Sequence, residues 1–172
     1  MCACTGIILP PAYIKQVAAA CREVGAIFVL DGIASGTAWV DMGDLGVDAF
    51  ITAPQKGWSG PAAVGVCMMN DRAKEVAHSK KPTSFTIDLA KWDVVMNAYL
   101  SGGHMYHATM PTDAIRKFRD VVHETEDFGL KNCEDAAWKL GTFFINYSVL
   151  FCRETTSTRV SLEKRSSCRA VR

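Results

Sequence analysis

Five consecutive apolar residues, Ala26-Ile27-Phe28-Val29-Leu30, run without alternation straight into Asp31-Gly32. A strand with one face in water alternates apolar and polar side chains. An unbroken run rich in β-formers therefore predicts a strand covered on both faces, as in parallel sheets flanked by helices. Two more runs of this kind follow, Val47 to Ala53 and Val64 to Met69. Helical spacing lies around them. Ile14, Val17, Ala18, Cys21 and Val24 fall on one face of a helix from Pro10 to Val24, with prolines in its first turn and Gly25 as its stop. Asp41 to Leu45 allows one turn, and Asn70-Asp71 can cap a helix from Arg72 to His78. The alternation predicts an α/β domain with helices on both faces of a mainly parallel sheet.

Beyond Pro82 the strand signals fade. Leu89, Trp92, Val95, Met96 and Tyr99 share one face of a helix from Asp88 to Leu100, which Gly102-Gly103 terminates. A polar aromatic loop, His104 to Pro111, leads to a helix with Ile115, Phe118, Val121 and Val122 at helical intervals up to Gly129, and Thr109 or Thr112 could cap it. A further helix is expected from Leu130 to about Tyr147, with Cys133, Ala137, Leu140 and Phe144 inward. From Arg153 to Arg172, six basic residues stand against Glu154 and Glu163 among many Ser and Thr, which reads as a solvated irregular tail or, alternatively, a basic interaction arm.

With 172 residues there is room for one ordinary domain or one piece of a larger one. Nineteen basic residues against 18 acidic ones leave a net charge of +1, which gives no electrostatic reason to expect nucleic acid or an anionic membrane as partner. No window supplies the roughly 18 apolar residues of a membrane span. Cys2 and Cys4 lack a second Cys or His pair in ligand spacing, and His104 and His107 lack an accompanying carboxylate or thiol, so no metal site is expected. Cys21, Cys67 and Cys133 fall on apolar positions and read as small buried hydrophobes in a reducing compartment. No secretory signal is recognised, so the expected location is the cytoplasm or an organelle.

The chemistry gathers at the strand ends. Asp31 closes one run, and the next opens into Pro54-Gln55-Lys56-Gly57-Trp58-Ser59-Gly60-Pro61. The carboxyl ends of neighbouring parallel strands share one edge, where open α/β sheets place ligands, so the carboxylate and the amine can face one crevice. Desolvation there would lower the lysine toward a usable nucleophile. The same two residues could instead form a surface ion pair or stay solvated. An Asp beside a pyridinium nitrogen and a Lys in Schiff base linkage are the paired requirement of pyridoxal phosphate chemistry.

Phe-Val-Leu-Asp31-Gly-Ile-Ala-Ser35, Ile-Thr-Ala-Pro-Gln55-Lys56-Gly-Trp-Ser-Gly-Pro61 and Tyr106-His107-Ala-Thr109-Met-Pro111 stand in the order and spacing of class V aminotransferases. From about Thr5 to about Leu140 the chain resembles their alanine–glyoxylate (serine–pyruvate) branch. The resemblance implies a fold-type I α/β domain and transfer of an amino group from a small amino acid to a 2-oxo acid such as glyoxylate. It implies Lys56 as the catalytic residue that holds pyridoxal 5'-phosphate as a Schiff base and shuttles the substrate proton. Asp31 would pair with the ring nitrogen and Gln55 would donate to the phosphate. Ser35 would help position the ring, and Trp58 would wall the pocket or pack beneath it. Tyr106 and Thr109 would reach the phosphate of a neighbouring subunit's cofactor, which implies a homodimer with shared sites. Without the resemblance, Tyr106 and Thr109 read equally as a packed loop aromatic and a helix cap.

Set against that family pattern, the chain is expected to be without a long N-terminal stretch and, after Leu140, without the small domain and its carboxylate-binding arginine. The expected organisation is a partial cofactor-binding large domain over 1–128, a helix leading toward a missing small domain over 129–150, and a disordered tail over 151–172. Such a fragment of a doubly wound sheet should expose a raw edge and an apolar face. The alternative function is a truncated, non-catalytic remnant that associates with a full-length subunit.

Overall fold

The Ala26–Leu30 run does yield a strand, though a shorter one shifted toward Asp31. In the computed structural model, which describes residues 9–36 and 39–143, β1 spans Val29–Asp31. The Phe28 carbonyl accepts from the Asp48 and Ala49 N–H groups just before the ladder begins. Strand β2 (Ala49–Thr52) lies parallel to β1 in the register Val29↔Ala49, Leu30↔Phe50 and Asp31↔Ile51. Strand β3 (Val66–Met69) completes the order β1-β2-β3 but runs antiparallel to β2. Unbroken burial does not encode strand direction. The link does: the β1–β2 link carries a helical turn, α2 (Met42–Leu45), whereas residues 53–65 contain no helix on which to cross the sheet.

Helix α1 (Pro11–Glu23) buries Ile14 and Ala18 and ends before Gly25, whose φ of 69° is the left-handed conformation a non-glycine residue resists. Val24, expected on the buried face, is instead 79% exposed at the helix end. Ile14 meets Leu30, Val40, Leu45, Val47 and Phe50 in the core. Burial of each such side chain stabilises the fold by roughly 1.5–3 kcal/mol. The central strand is covered on both faces, whereas β1 is covered on one only: Leu30 is 4% exposed, but Val29 is 50% exposed.

Asp48 is the buried charge of the sheet, at 1% exposure. Its Oδ2 accepts from Phe28 N–H at 2.8 Å and from the Arg72 guanidinium at 2.7 Å, and its Oδ1 from Asn70 Nδ2 at 3.0 Å. A second Arg72 nitrogen donates to the Ala26 carbonyl at 2.8 Å. The start of β1, the start of β2 and the first turn of α3 (Asp71–Ser79) are thereby joined around one carboxylate. Burial by itself would raise that carboxyl, but the hydrogen bonds from Phe28, Asn70 and Arg72 and the guanidinium charge outweigh it and hold the group below its ordinary range. The expected cap is present, with Asn70 accepting from Ala73 N–H at 2.9 Å.

Helix α4 (Leu89–Leu100) starts on Asp88, which accepts from Lys91 N–H, and packs against α3. Asp93 lies 2.9 Å from His78 Nε2 and 3.6 Å from Lys74 Nζ, and the His78 hydrogen bond leads in lowering its carboxyl. The expected inward face of α4 divides. Trp92 and Val95 are half-buried, but Leu89, Met96 and Tyr99 are exposed. Helix α5 (Thr112–Phe128) begins after Pro111 without a side-chain cap, so neither Thr109 nor Thr112 serves that role. Ile115, Phe118, Val121 and Val122 are half-buried as expected.

The chain divides after Leu130 into two units. Within the second, residues 131–143 are helical, with Lys131 paired to Glu134 and Asp135 one turn on. Cys133 is half-buried, whereas Ala137 and Leu140, expected inward, are exposed. The expected tail over 151–172 lies outside the described residues, as do Phe144, Cys2, Cys4, Cys152 and Cys168. Cys21, Cys67 and Cys133 are free thiols, half-buried rather than buried. Burial pushes the Cys67 thiol up. No helix among the described residues is long and apolar enough to cross a membrane.

Candidate active site at the strand ends

Asp31 ends β1, and its Oδ1 accepts from Ile33 N–H at 3.0 Å, turning the chain away from the sheet. Gly32 must follow it, because a Cβ there would lie 2.1 Å from the ring of Phe50 on β2. Ser35 closes the turn by donating from its hydroxyl to the Gly32 carbonyl at 2.8 Å. Its half-buried oxygen thus serves the loop that carries Asp31.

On the next strand, Thr52, Ala53 and Pro54 are buried and Gln55, Lys56 and Gly57 emerge exposed. The lysine loop closes through Ser59 N–H to the Lys56 carbonyl at 3.0 Å and Gly60 N–H to the Pro54 carbonyl at 2.8 Å. Ser59 takes φ 59°, a left-handed backbone that costs a non-glycine residue about 1 kcal/mol. Trp58 folds beneath the loop instead of walling a pocket. It is 8% exposed, donates from Nε1 to Thr52 Oγ1 at 3.1 Å, and meets Phe118 of α5 edge to face with ring centroids 6.2 Å apart. The loop that presents Lys56 is therefore seated on its own strand and on α5.

The two loops meet backbone to backbone. A Cβ on Gly36 would lie 2.2 Å from the Cα of Gly57, and one on Gly57 would lie 2.4 Å from the Cα of Gly36. Only a pair of glycines allows this approach, which brings the turn following Asp31 against the turn carrying Lys56. Neither glycine stands out locally in the sequence, because the contact joins residues 21 positions apart. Asp31 and Lys56 form no ion pair with each other among the described residues, and Lys56 Nζ has no hydrogen-bond partner there. Lys56 is exposed, so the described residues do not supply the desolvation expected for it.

Tyr106 and Thr109 lie on the irregular segment between α4 and α5. Tyr106 is 75% exposed, and its hydroxyl lies 3.1 Å from Thr109 Oγ1. Among the described residues no hydrogen bond joins this pair to Asp31, Gln55 or Lys56. Of the two histidines beside them, His104 is exposed and His107 is packed against Phe85 and Trp92.

The donor set fits the cofactor that the resemblance implies. It offers an amine without a competing partner among the described residues and a carboxylate with one oxygen committed to Ile33 N–H. A glycine contact lets both approach one edge of the sheet.

Residues 3–157 match the family profile described as Aminotransferase class-V, reaching past Leu140, where the motif resemblance ends. Alanine–glyoxylate aminotransferase 1 of Saccharomyces cerevisiae is 24% identical over 138 residues, covering 76% of this chain and 36% of that protein. A 2-aminoethylphosphonate–pyruvate transaminase of Syntrophobacter fumaroxidans is 24% identical over 137 residues, covering 78% of this chain and 35% of that one. Among solved structures, alanine–glyoxylate aminotransferase from Nostoc sp. shares the fold with a TM-score of 0.62 at 23% identity, over 71% of this chain and 32% of that one. The chain spans about a third of the length of the curated relatives it matches.

Proposed function

The chain belongs to the class-V aminotransferase family, and from that membership we propose that the protein moves an amino group from a small amino acid to a 2-oxo acid such as glyoxylate, with pyridoxal 5'-phosphate held at Lys56. The observation that carries this reading is the Gly36–Gly57 contact, which holds the Asp31 turn and the Lys56 turn together at one edge of the sheet.

When bound, the cofactor supplies an electron-accepting ring conjugated to the carbon that bears the amino group. The chain's own residues do the rest. Lys56 Nζ would hold the cofactor through its aldehyde group and, when the substrate amine takes its place there, would serve as the base that removes the proton from the substrate Cα. Asp31 keeps a proton on the ring nitrogen, where its negative charge stabilises the positive one. Gln55 donates from its amide to the phosphate, and Ser35 steadies the turn that carries Asp31. The Tyr106 and Thr109 hydroxyls bind the phosphate of the cofactor in a second copy, so the active unit is a homodimer. This assignment suits their exposure and the lack, among the described residues, of hydrogen bonds from them to the lysine turn of the same copy.

Absorbance tests the reading. Titration of the purified chain with pyridoxal phosphate is expected to produce a visible band, distinct from that of the free aldehyde, that saturates at one equivalent. The band is expected to be absent in Lys56→Ala. No band at saturating cofactor would sink the proposal and favour a non-catalytic chain that associates with a full-length subunit, which co-purification would then reveal.

A further inference from the structure

His107 stands between Tyr106 and Thr109 in sequence, and its ring packs on Phe85 and Trp92. Nε2 lies 2.9 Å from the Phe85 carbonyl oxygen. A carbonyl oxygen only accepts, so Nε2 is the protonated nitrogen and donates. The ring is held between two aromatic neighbours, with its centroid 4.5 Å from Phe85 and 5.0 Å from Trp92, the latter edge to face. Trp92 is itself fixed, because its Nε1 donates to the Thr86 carbonyl at 2.7 Å. The Phe85–Thr86 segment, α4 and the loop are thus joined through one imidazole. Residues 103–111 have no regular secondary structure, and among the described residues the His107 bond is the side-chain hydrogen bond that ties this segment to another part of the chain. The Tyr106–Thr109 bond stays within it.

We propose that His107 is the positioning residue that presents the Tyr106 and Thr109 hydroxyls as a preformed pair to a phosphate monoester. The inference rests on the phosphate-binding role proposed for those hydroxyls. With 3.1 Å between the two oxygens, one O–H bridges the pair and the other is left to donate outward. An unanchored loop would have to be ordered when the phosphate binds, and that ordering weakens affinity, whereas a loop already fixed by the imidazole avoids the loss. The effect of His107 should therefore fall on ligands that carry a phosphate.

The test compares dissociation constants for pyridoxal phosphate and for pyridoxal, which lacks the phosphate, in wild type, His107→Phe and His107→Gln. Phe keeps a ring between Phe85 and Trp92 without the donor, and Gln keeps a donor of similar reach without the ring. In His107→Phe, binding of pyridoxal phosphate is expected to weaken about tenfold, the equivalent of one net hydrogen bond, with pyridoxal within about twofold of wild type. His107→Gln is expected to recover most of the difference. Unchanged binding of pyridoxal phosphate, or equal weakening for both ligands, would overturn the proposal and leave His107 a packing residue. Tyr106→Phe combined with Thr109→Val separates the two layers of argument. If this double variant keeps the phosphate-dependent affinity, the hydroxyl pair is not the phosphate site and the inference falls with it. If it loses that affinity while His107→Phe does not, only the positioning role is wrong.

Discussion

Gly57→Ala and Gly36→Ala are expected to lower the urea midpoint of the folded chain and to weaken its uptake of pyridoxal phosphate at the same time. Each added methyl would be driven into a Cα at 2.4 or 2.2 Å, and backbone cannot swing aside as the end of a side chain can. Overpacking of this kind costs typically 1–3 kcal/mol. At Gly36 the left-handed φ of 54° adds about 1 kcal/mol for any residue with a Cβ, so Gly36→Ala should be the worse of the two. The relief available to the chain is to part the two turns, which moves Asp31 away from Lys56. Loss of stability and loss of cofactor affinity should therefore track one another across Ala, Ser and Val at either position. Variants with wild-type midpoints would show that the turns are not in contact.

Asp48→Ala should have the larger effect on stability alone. It strands the Phe28 N–H, the Asn70 amide and the Arg72 guanidinium at once. Breaking a buried pair from one side costs about 3–5 kcal/mol, and the partial exposure of Arg72 argues for the lower end. Asp48→Asn, which keeps one carbonyl oxygen, should lose less. The pH dependence has a definite sign. Because the folded state holds the Asp48 carboxyl below its unfolded value, the contribution is fully present above roughly pH 4 and disappears as pH falls through the lower folded value. The stability gap between wild type and Asp48→Ala, measured by urea unfolding, should thus be constant near neutrality and shrink in acid. A gap that persisted at the lowest pH would mean that the carboxylate charge is not what the clip uses.

Local pattern made much of this molecule legible. Helix α1, the strand that precedes Lys56 and the Asn70 cap follow from spacing and side-chain chemistry within a dozen residues. Contacts made across the sequence were not legible. Asp48 reads as one polar residue in an apolar run, and nothing nearby says that Asn70 and Arg72 will fold back on it. The Gly36–Gly57 approach is hidden for the same reason, since a lone glycine in a turn is unremarkable until its partner is placed. On α4, periodicity located a face but not its burial: Met96 and Tyr99 lie on it and remain exposed. Thr109 looked like a cap because of its place before a helix, yet its hydroxyl lies against that of Tyr106, and α5 starts after Pro111 without a side-chain cap. The motif residues at the strand ends were recognisable because the chemistry assigned to them fixes the residue type at each position. The second-copy role proposed for Tyr106 and Thr109 rests on the resemblance alone.

The central claim is that Lys56, at the edge where the Asp31 turn meets its own, is the amine that binds the cofactor. Borohydride reduction of the chain loaded with one equivalent of pyridoxal phosphate, followed by peptide mass mapping, tests it directly. The account predicts a single stable phosphopyridoxyl adduct on the peptide containing Lys56, suppressed when Asp31→Ala or Gly57→Val weakens loading. Adducts scattered over the exposed lysines in proportion to their accessibility, with Lys56 no more labelled than Lys15 or Lys91, would contradict it.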